Sequence, residues 1–163
     1  MSAPITPAVR RVVTGHDPAG RAVVARDDAV PTTPVRTGDA RFALLWTSDT
    51  SPADVMDPGD AGLRTVGLAL PGGSVLRMVD IAPGCGSPMH RTRSLDYGIV
   101  ISGEIVLELD DGVTATIRAG EVVVQRGTIH AWVNRTTEWC RIAFILLDAA
   151  PVLVDGIPLE PTH

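Results

Sequence analysis

From Ser74 onward, apolar and polar residues alternate with a period near two, the spacing of a strand with one buried and one wet face. Residues 75–81 are predicted to form a strand ended by Pro83-Gly84, and residues 99–101 another closed by Ser102-Gly103. Ile105, Leu107 and Leu109 then alternate with Glu104, Val106 and Glu108, and Asp110-Asp111-Gly112 signals a hairpin turn into a returning strand at 113–118. After Ala119-Gly120 come strands at 121–125 and 130–134, and a last long one at 139–147. The helical period is nearly absent.

The first half is looser. Residues 11–14 and 21–25 are extended candidates around the turn Gly15-His16-Asp17-Pro18-Ala19-Gly20, a predicted hairpin, and residues 41–47 form a further strand. Residues 48–63 are rich in loop signals, with one helical turn predicted at 52–55 behind Ser51 as N-cap. Many short strands between regular turn signals predict an all-β sandwich or barrel of the jelly-roll kind. Residues 71–150 make up that barrel, 1–70 are an extension of extra strands that does not fold alone, and 151–163 form a loose tail.

Composition narrows the function. A chain of 163 residues, 45% of them hydrophobic, suits one domain with a real core. The formal net charge of -5 has the wrong sign for nucleic acid or an anionic membrane surface. Every one of the 14 basic residues is Arg, so no lysine of this chain can form a Schiff base. The start, MSAPITPAVRR, lacks the apolar stretch of a secretory leader, and the late apolar run at 142–147 is too short to span a bilayer. With two cysteines, Cys85 and Cys140, and no disulfide framework, a reduced cytoplasmic protein is expected.

Candidate chemistry follows from strand parity. His90 and Thr92 share one face of their segment, and His130, Trp132 and Asn134 share one face of theirs. If both faces point inward, two imidazoles converge on one cavity, where they can bind a metal or move a proton near neutral pH. Trp132 offers a broad ring to a flat ligand, and Gln125 should point inward and orient a ligand oxygen. Tyr97 falls opposite Asp96 and is read as packing, while Arg91 and Arg93 should point away into salt links. Cys85 is read as a small residue in a tight turn and Cys140 as core, with His16 and His163 solvated. Ser94 has no Gly-x-Ser-x-Gly elbow to make it a hydrolase nucleophile.

Here the chain resembles a family. Gly84, His90, Thr92, Asp96 and Gly103 stand at the spacing of the first cupin motif, whose positions are glycine, histidine, histidine, glutamate and glycine. Gly127, His130 and Asn134 resemble the end of the second motif, and residues 104–119 are a normal spacer between the two. The resemblance covers about residues 74–148. It implies an all-β, cupin-type double-stranded β-helix with extra N-terminal strands, and commonly a homodimer that pairs barrel edges. Departures carry as much weight: Thr92 replaces the second metal histidine, Asp96 the glutamate and Gln125 a proline, and the gap after Gly120 is one residue short. A four-ligand metal site is not expected. His90, Asp96 and His130 are left as a possible three-ligand set for a single divalent metal (Fe, Mn, Ni or Zn), or as an acid–base site without one. The leading expectation is a small-molecule enzyme of the lyase or isomerase type (dehydratase, decarboxylase or tautomerase) acting on a carbonyl-bearing metabolite. A non-haem iron oxygenase using His90, Asp96 and His130 and a non-catalytic ligand-binding cupin are the alternatives.

Overall fold

The computed structural model describes residues 7–35 and 37–162 and is built almost wholly of strands. In chain order these are β1 (Ala8–His16), β2 (Ala22–Pro31), β3 (Thr33–Pro34), β4 (Ala40–Ser48), β5 (Ser74–Ile81), β6 (Ser94–Ser102), β7 (Glu104–Glu108), β8 (Thr114–Arg118), β9 (Val122–Arg126), β10 (Ala131–Val133), β11 (Cys140–Asp148), β12 (Leu153–Val154) and β13 (Ile157–Pro158). A six-stranded sheet in the order β3-β4-β5-β11-β6-β9 faces a three-stranded sheet in the order β10-β7-β8, and β1-β2 and β12-β13 form separate hairpins.

Alternation explains the two-sheet core. On β11, Cys140, Ile142, Phe144 and Leu146 are buried at every second position, and on β5 Val75, Val79 and Ile81 follow the same parity. They meet Ile105, Leu107, Ile117 and Trp132 across the barrel in one cluster. Each fully buried side chain of this kind contributes about 1.5–3 kcal/mol of transfer free energy. Cys140 belongs to this core and its thiol is pushed up to about 12 by burial, so it is chemically inert.

The outer face of the large sheet is covered as well. Ala43 and Leu45 on β4 point away from the barrel core yet are buried beneath the β1-β2 hairpin. Arg11 fastens that hairpin, donating to Asp28 (3.0 and 2.6 Å), to Asp60 (2.8 and 2.9 Å) and to the Leu45 carbonyl (3.0 Å). β3 and β4 lie in the same sheet as β5 and so extend one wall of the barrel.

Three local expectations are corrected. The helical turn predicted at 52–55 is absent; a short 3-10 turn sits instead at Ala61–Leu63, where Asp60 accepts from the Gly62 N–H at 2.9 Å and Arg11 holds the same carboxylate. Strand β6 starts at Ser94, five residues before its apolar run. Its first inward positions are polar: Asp96 lines a cavity rather than the core, and Ser94 donates to Thr92 of the same wall. The tail after Pro151 carries the small β12-β13 hairpin, and Thr162 bridges back to Arg91. The terminal His163 lies outside the described residues, and His16 is exposed at the end of β1. No helix among the described residues is long and apolar enough to cross a membrane.

Candidate active site

Two irregular segments build the mouth of the barrel. Residues 85–92 run antiparallel beside β10 and its approach, with Ser87 N–H donating to the Trp132 carbonyl at 2.9 Å and Asn134 N–H to the Cys85 carbonyl at 2.8 Å. Gly86 permits this closeness, since a Cβ there would stand 2.8 Å from the Trp132 carbonyl oxygen. Gly127 turns the chain into the His130 segment at φ +62, a conformation that favours glycine.

His90 and His130 face each other directly. Each backbone N–H donates to the other's carbonyl (2.8 and 2.9 Å), which places both side chains on one side of the ladder. The ring centroids are 4.3 Å apart at an interplanar angle of 48°. In both rings Nδ1 meets the carbonyl two residues earlier: Pro88 at 2.9 Å for His90, Thr128 at 3.0 Å for His130. An Nδ1–H donated to these carbonyls leaves the Nε2 lone pair facing the cavity in each ring. Gln125 also abuts His130 Nδ1, its amide tied to Thr128 by Nε2 to the carbonyl (3.1 Å) and by the Thr128 hydroxyl to Oε1 (2.9 Å). Ring, amide and turn are thereby locked together.

Burial pushes His130 down to about 4, with the neighbouring His90 acting in the same direction, so His130 is a neutral imidazole at physiological pH. Trp132 stands edge-on to His130 at 5.8 Å and to Phe144 at 5.2 Å, walling one side of the space. Asp96 lies deeper, buried on β6. It accepts from the Thr92 hydroxyl at 3.4 Å, and the Ser94 hydroxyl donates to Thr92 at 2.8 Å. Burial raises the Asp96 acid against the pull of these hydroxyls.

Together His90, Thr92, Asp96, His130 and Trp132 line a cavity of about 470 Å³, whose other walls include Phe42, Val79, Ile81, Phe144 and Leu146. A space of this size and apolarity accommodates a small metabolite. Two predicted ligand contacts lie elsewhere. Asn134 is not in the cavity wall: β10 ends at Val133, and the Asn134 amide donates to the Ile81 and Glu138 carbonyls (3.0 and 2.7 Å) while its oxygen accepts from Thr136. Gln125 also stays out of the wall and reaches the cavity only through His130. Arg91 and Arg93 do point away, Arg93 standing 3.8 Å from Asp148. Cys85 donates to Asp39 at 3.6 Å.

The donor set does not fit a three-ligand metal. Among the described residues no group of three His, Cys, Asp or Glu side chains stands close enough to share one ion. Two imidazoles converge, but the third donor expected from Asp96 is turned to the Thr92 hydroxyl. Parity reading also missed a residue. Arg77 on β5 points into the same cavity, although an arginine in an alternating strand ordinarily marks the wet face.

Comparison with known proteins completes the picture. A cupin domain is matched over residues 77–146, the stretch that carries both histidines. A "Cupin-domain-containing oxidoreductase fogC" of Aspergillus ruber is 36% identical over 93% of this chain and 78% of its own length. The chain belongs to the cupin superfamily. A second relative of this cupin, "Phomopsin biosynthesis cluster protein C'" of Diaporthe leptostromiformis, is 46% identical over 90% of the chain and 82% of that protein. Among solved structures, the polyketide cyclase RemF from Streptomyces resistomycificus superposes with a TM-score of 0.52 at 20% identity, covering 76% of this chain and 77% of that one. That likeness places the fold of this cupin, a double-stranded β-helix.

Proposed function

We propose that this cupin is a small-molecule enzyme of the lyase or isomerase type, which moves a proton on a carbonyl-bearing metabolite. The observation that carries the reading is the imidazole pair at 4.3 Å inside a largely apolar cavity. His130, held neutral by burial, is the base that takes a proton from the carbon beside the carbonyl. His90, half-buried and nearer solvent, is the acid once its Nε2 has taken a proton from solvent, and it delivers that proton to the carbonyl oxygen. The enol so formed collapses by returning a proton at another carbon or by expelling a leaving group. Thr92 and Trp132 shape the wall against which the substrate lies, and Asp96 holds Thr92 in place. Relatives named for biosynthesis clusters support a metabolite substrate.

A second reading, metal-dependent oxidation with His90, Asp96 and His130 as ligands, is favoured by the names of relatives called oxidoreductases. The donor geometry counts against it. Deuterium exchange at the α-carbon of a panel of small keto compounds, followed by NMR in heavy water, tests the first reading. His130→Ala and His90→Ala should each slow the exchange by roughly a hundredfold or more. Exchange that is absent in the wild-type protein, or unchanged in both variants, sinks it. Stoichiometric iron that survives dialysis of protein purified without chelators or metal-affinity steps would move the balance to the second.

A further inference from the structure

Arg77 is a buried cation that makes no ion pair among the described residues. Its side chain enters the cavity from β5, in register with Phe144 of β11, and the residue is 8% exposed. Nη2 donates to the Gly67 and Leu68 carbonyls at 2.5 and 2.9 Å, whereas Nε is sealed from water and has no acceptor. Among the described residues no carboxylate lies within ion-pair distance of the guanidinium. Asp96 shares the cavity, level with Leu146 two positions further along β11, and its Oδ1 is likewise buried without a donor. Guanidinium groups do not give up their proton, so the charge on Arg77 persists. Asp96 is the cavity-wall acid across β11 from Arg77, and the two attract each other, but no hydrogen bond or ion pair joins them. A buried charge left without a partner is costly, and a ligand that supplies the partner recovers that cost on binding.

We propose that Arg77 anchors a carboxylate carried by the substrate, so that this cavity selects a flat, mostly apolar metabolite with one planar anionic end. With Nη2 held by two backbone carbonyls, the guanidinium offers a carboxylate its charge and a remaining N–H donor, and the apolar walls take the rest of the molecule. The anchored end then lies against β5, and the body of the ligand extends toward His90 and His130 at the mouth. This rests on the cavity being the substrate site, as proposed above, and makes Arg77 the residue that decides which carbonyl compounds enter.

Calorimetric titration of the whole protein with benzoate and with benzamide, its neutral isostere, tests the anchor. The wild-type protein should bind benzoate at least roughly tenfold more tightly than benzamide. Arg77→Met should erase the preference with the benzamide affinity unchanged, and Arg77→Lys should keep part of it. Equal affinity for the two probes, no detectable benzoate binding at millimolar concentration, or a folded Arg77→Met protein that still prefers benzoate would overturn the proposal. If Arg77→Met does not fold, the wild-type ratio decides alone. His130→Ala should keep the benzoate preference. Loss of that preference with α-carbon exchange intact defeats the anchor alone, and the reverse result defeats only the proton-transfer reading.

Discussion

At the residue scale, His130 couples the chemistry of the cavity to the stability of the fold. Its folded value of about 4 lies below the ordinary 6.5 because burial disfavours the imidazolium. Between these two values the unfolded chain binds a proton that the folded chain refuses. The stability tied to His130 is therefore complete above pH 6.5 and is lost as pH falls toward about 4, by up to about 3 kcal/mol. Asp96 acts with the opposite sign: burial raises it from 3.8, so its contribution is greatest below that value and declines as pH rises through the folded one. Denaturant unfolding from pH 7 to pH 4 should show His130→Gln losing less stability than the wild-type protein across this range. Equal slopes for the two would mean that His130 titrates normally. The imidazole pair was legible because the Gly-to-His spacings of two motifs announce it. Arg77 was not, because whether a charged residue in a strand faces solvent or a cavity depends on which sheet lies opposite.

At the element scale, two ionic clamps hold strands that the hydrophobic pattern alone leaves loosely joined. Asp80 on β5 is fully buried on the outer side of the large sheet, and Arg141 on the adjacent β11 donates to both of its oxygens at 2.6 and 2.8 Å. Removing one partner of such a pair strands the other charge, so Asp80→Ala should cost roughly 3–5 kcal/mol in chemical unfolding. A loss below about 1 kcal/mol, the value of a surface pair, would show that the site is wet. The second clamp is Arg11, which ties the β1-β2 hairpin to Asp60 and β4. A Cβ at Gly62 would stand 2.2 Å from Arg11 Nη1, so Gly62→Ala must displace that guanidinium. Hydrogen exchange should then quicken in β1 and β2 and stay unchanged in β5 and β11; uniform quickening would mean that the hairpin and barrel open as one unit. The hairpin itself was legible from its turn, but not its attachment, which joins residues far apart in the chain.

At the scale of the whole molecule, the β1-β2 hairpin is a two-stranded sheet whose outer edges pair with no other strand among the described residues, and Val12, Val23 and Val24 are exposed on it. Open strand edges invite another strand, and exposed valines beside them add apolar area to bury. We propose that a second copy of the chain covers this hairpin to form a homodimer. Light scattering at micromolar concentration should give twice the chain mass, and Val24→Asp should return it to that of one chain. A single-chain mass for the unaltered protein removes the claim.

The amino-acid order alone determined the barrel and its two histidines, because alternation of period two, glycine turns and motif spacing are local properties that survive without knowledge of partners. Strand parity also placed Thr92 and Trp132 inward and the cupin-motif spacing added Asp96, and the structure puts all three in the cavity wall. Only the tertiary structure decided what that wall means. Asn134 shares the parity of His130, yet its strand ends one residue earlier and its amide closes a turn. Asp96 carries a metal-ligating group but faces a hydroxyl, and Arg77 turns a charge inward where an apolar residue is the norm. Each of these outcomes depends on distances between residues from separate strands, and such distances are set by how two sheets close on each other rather than by any periodicity along one of them.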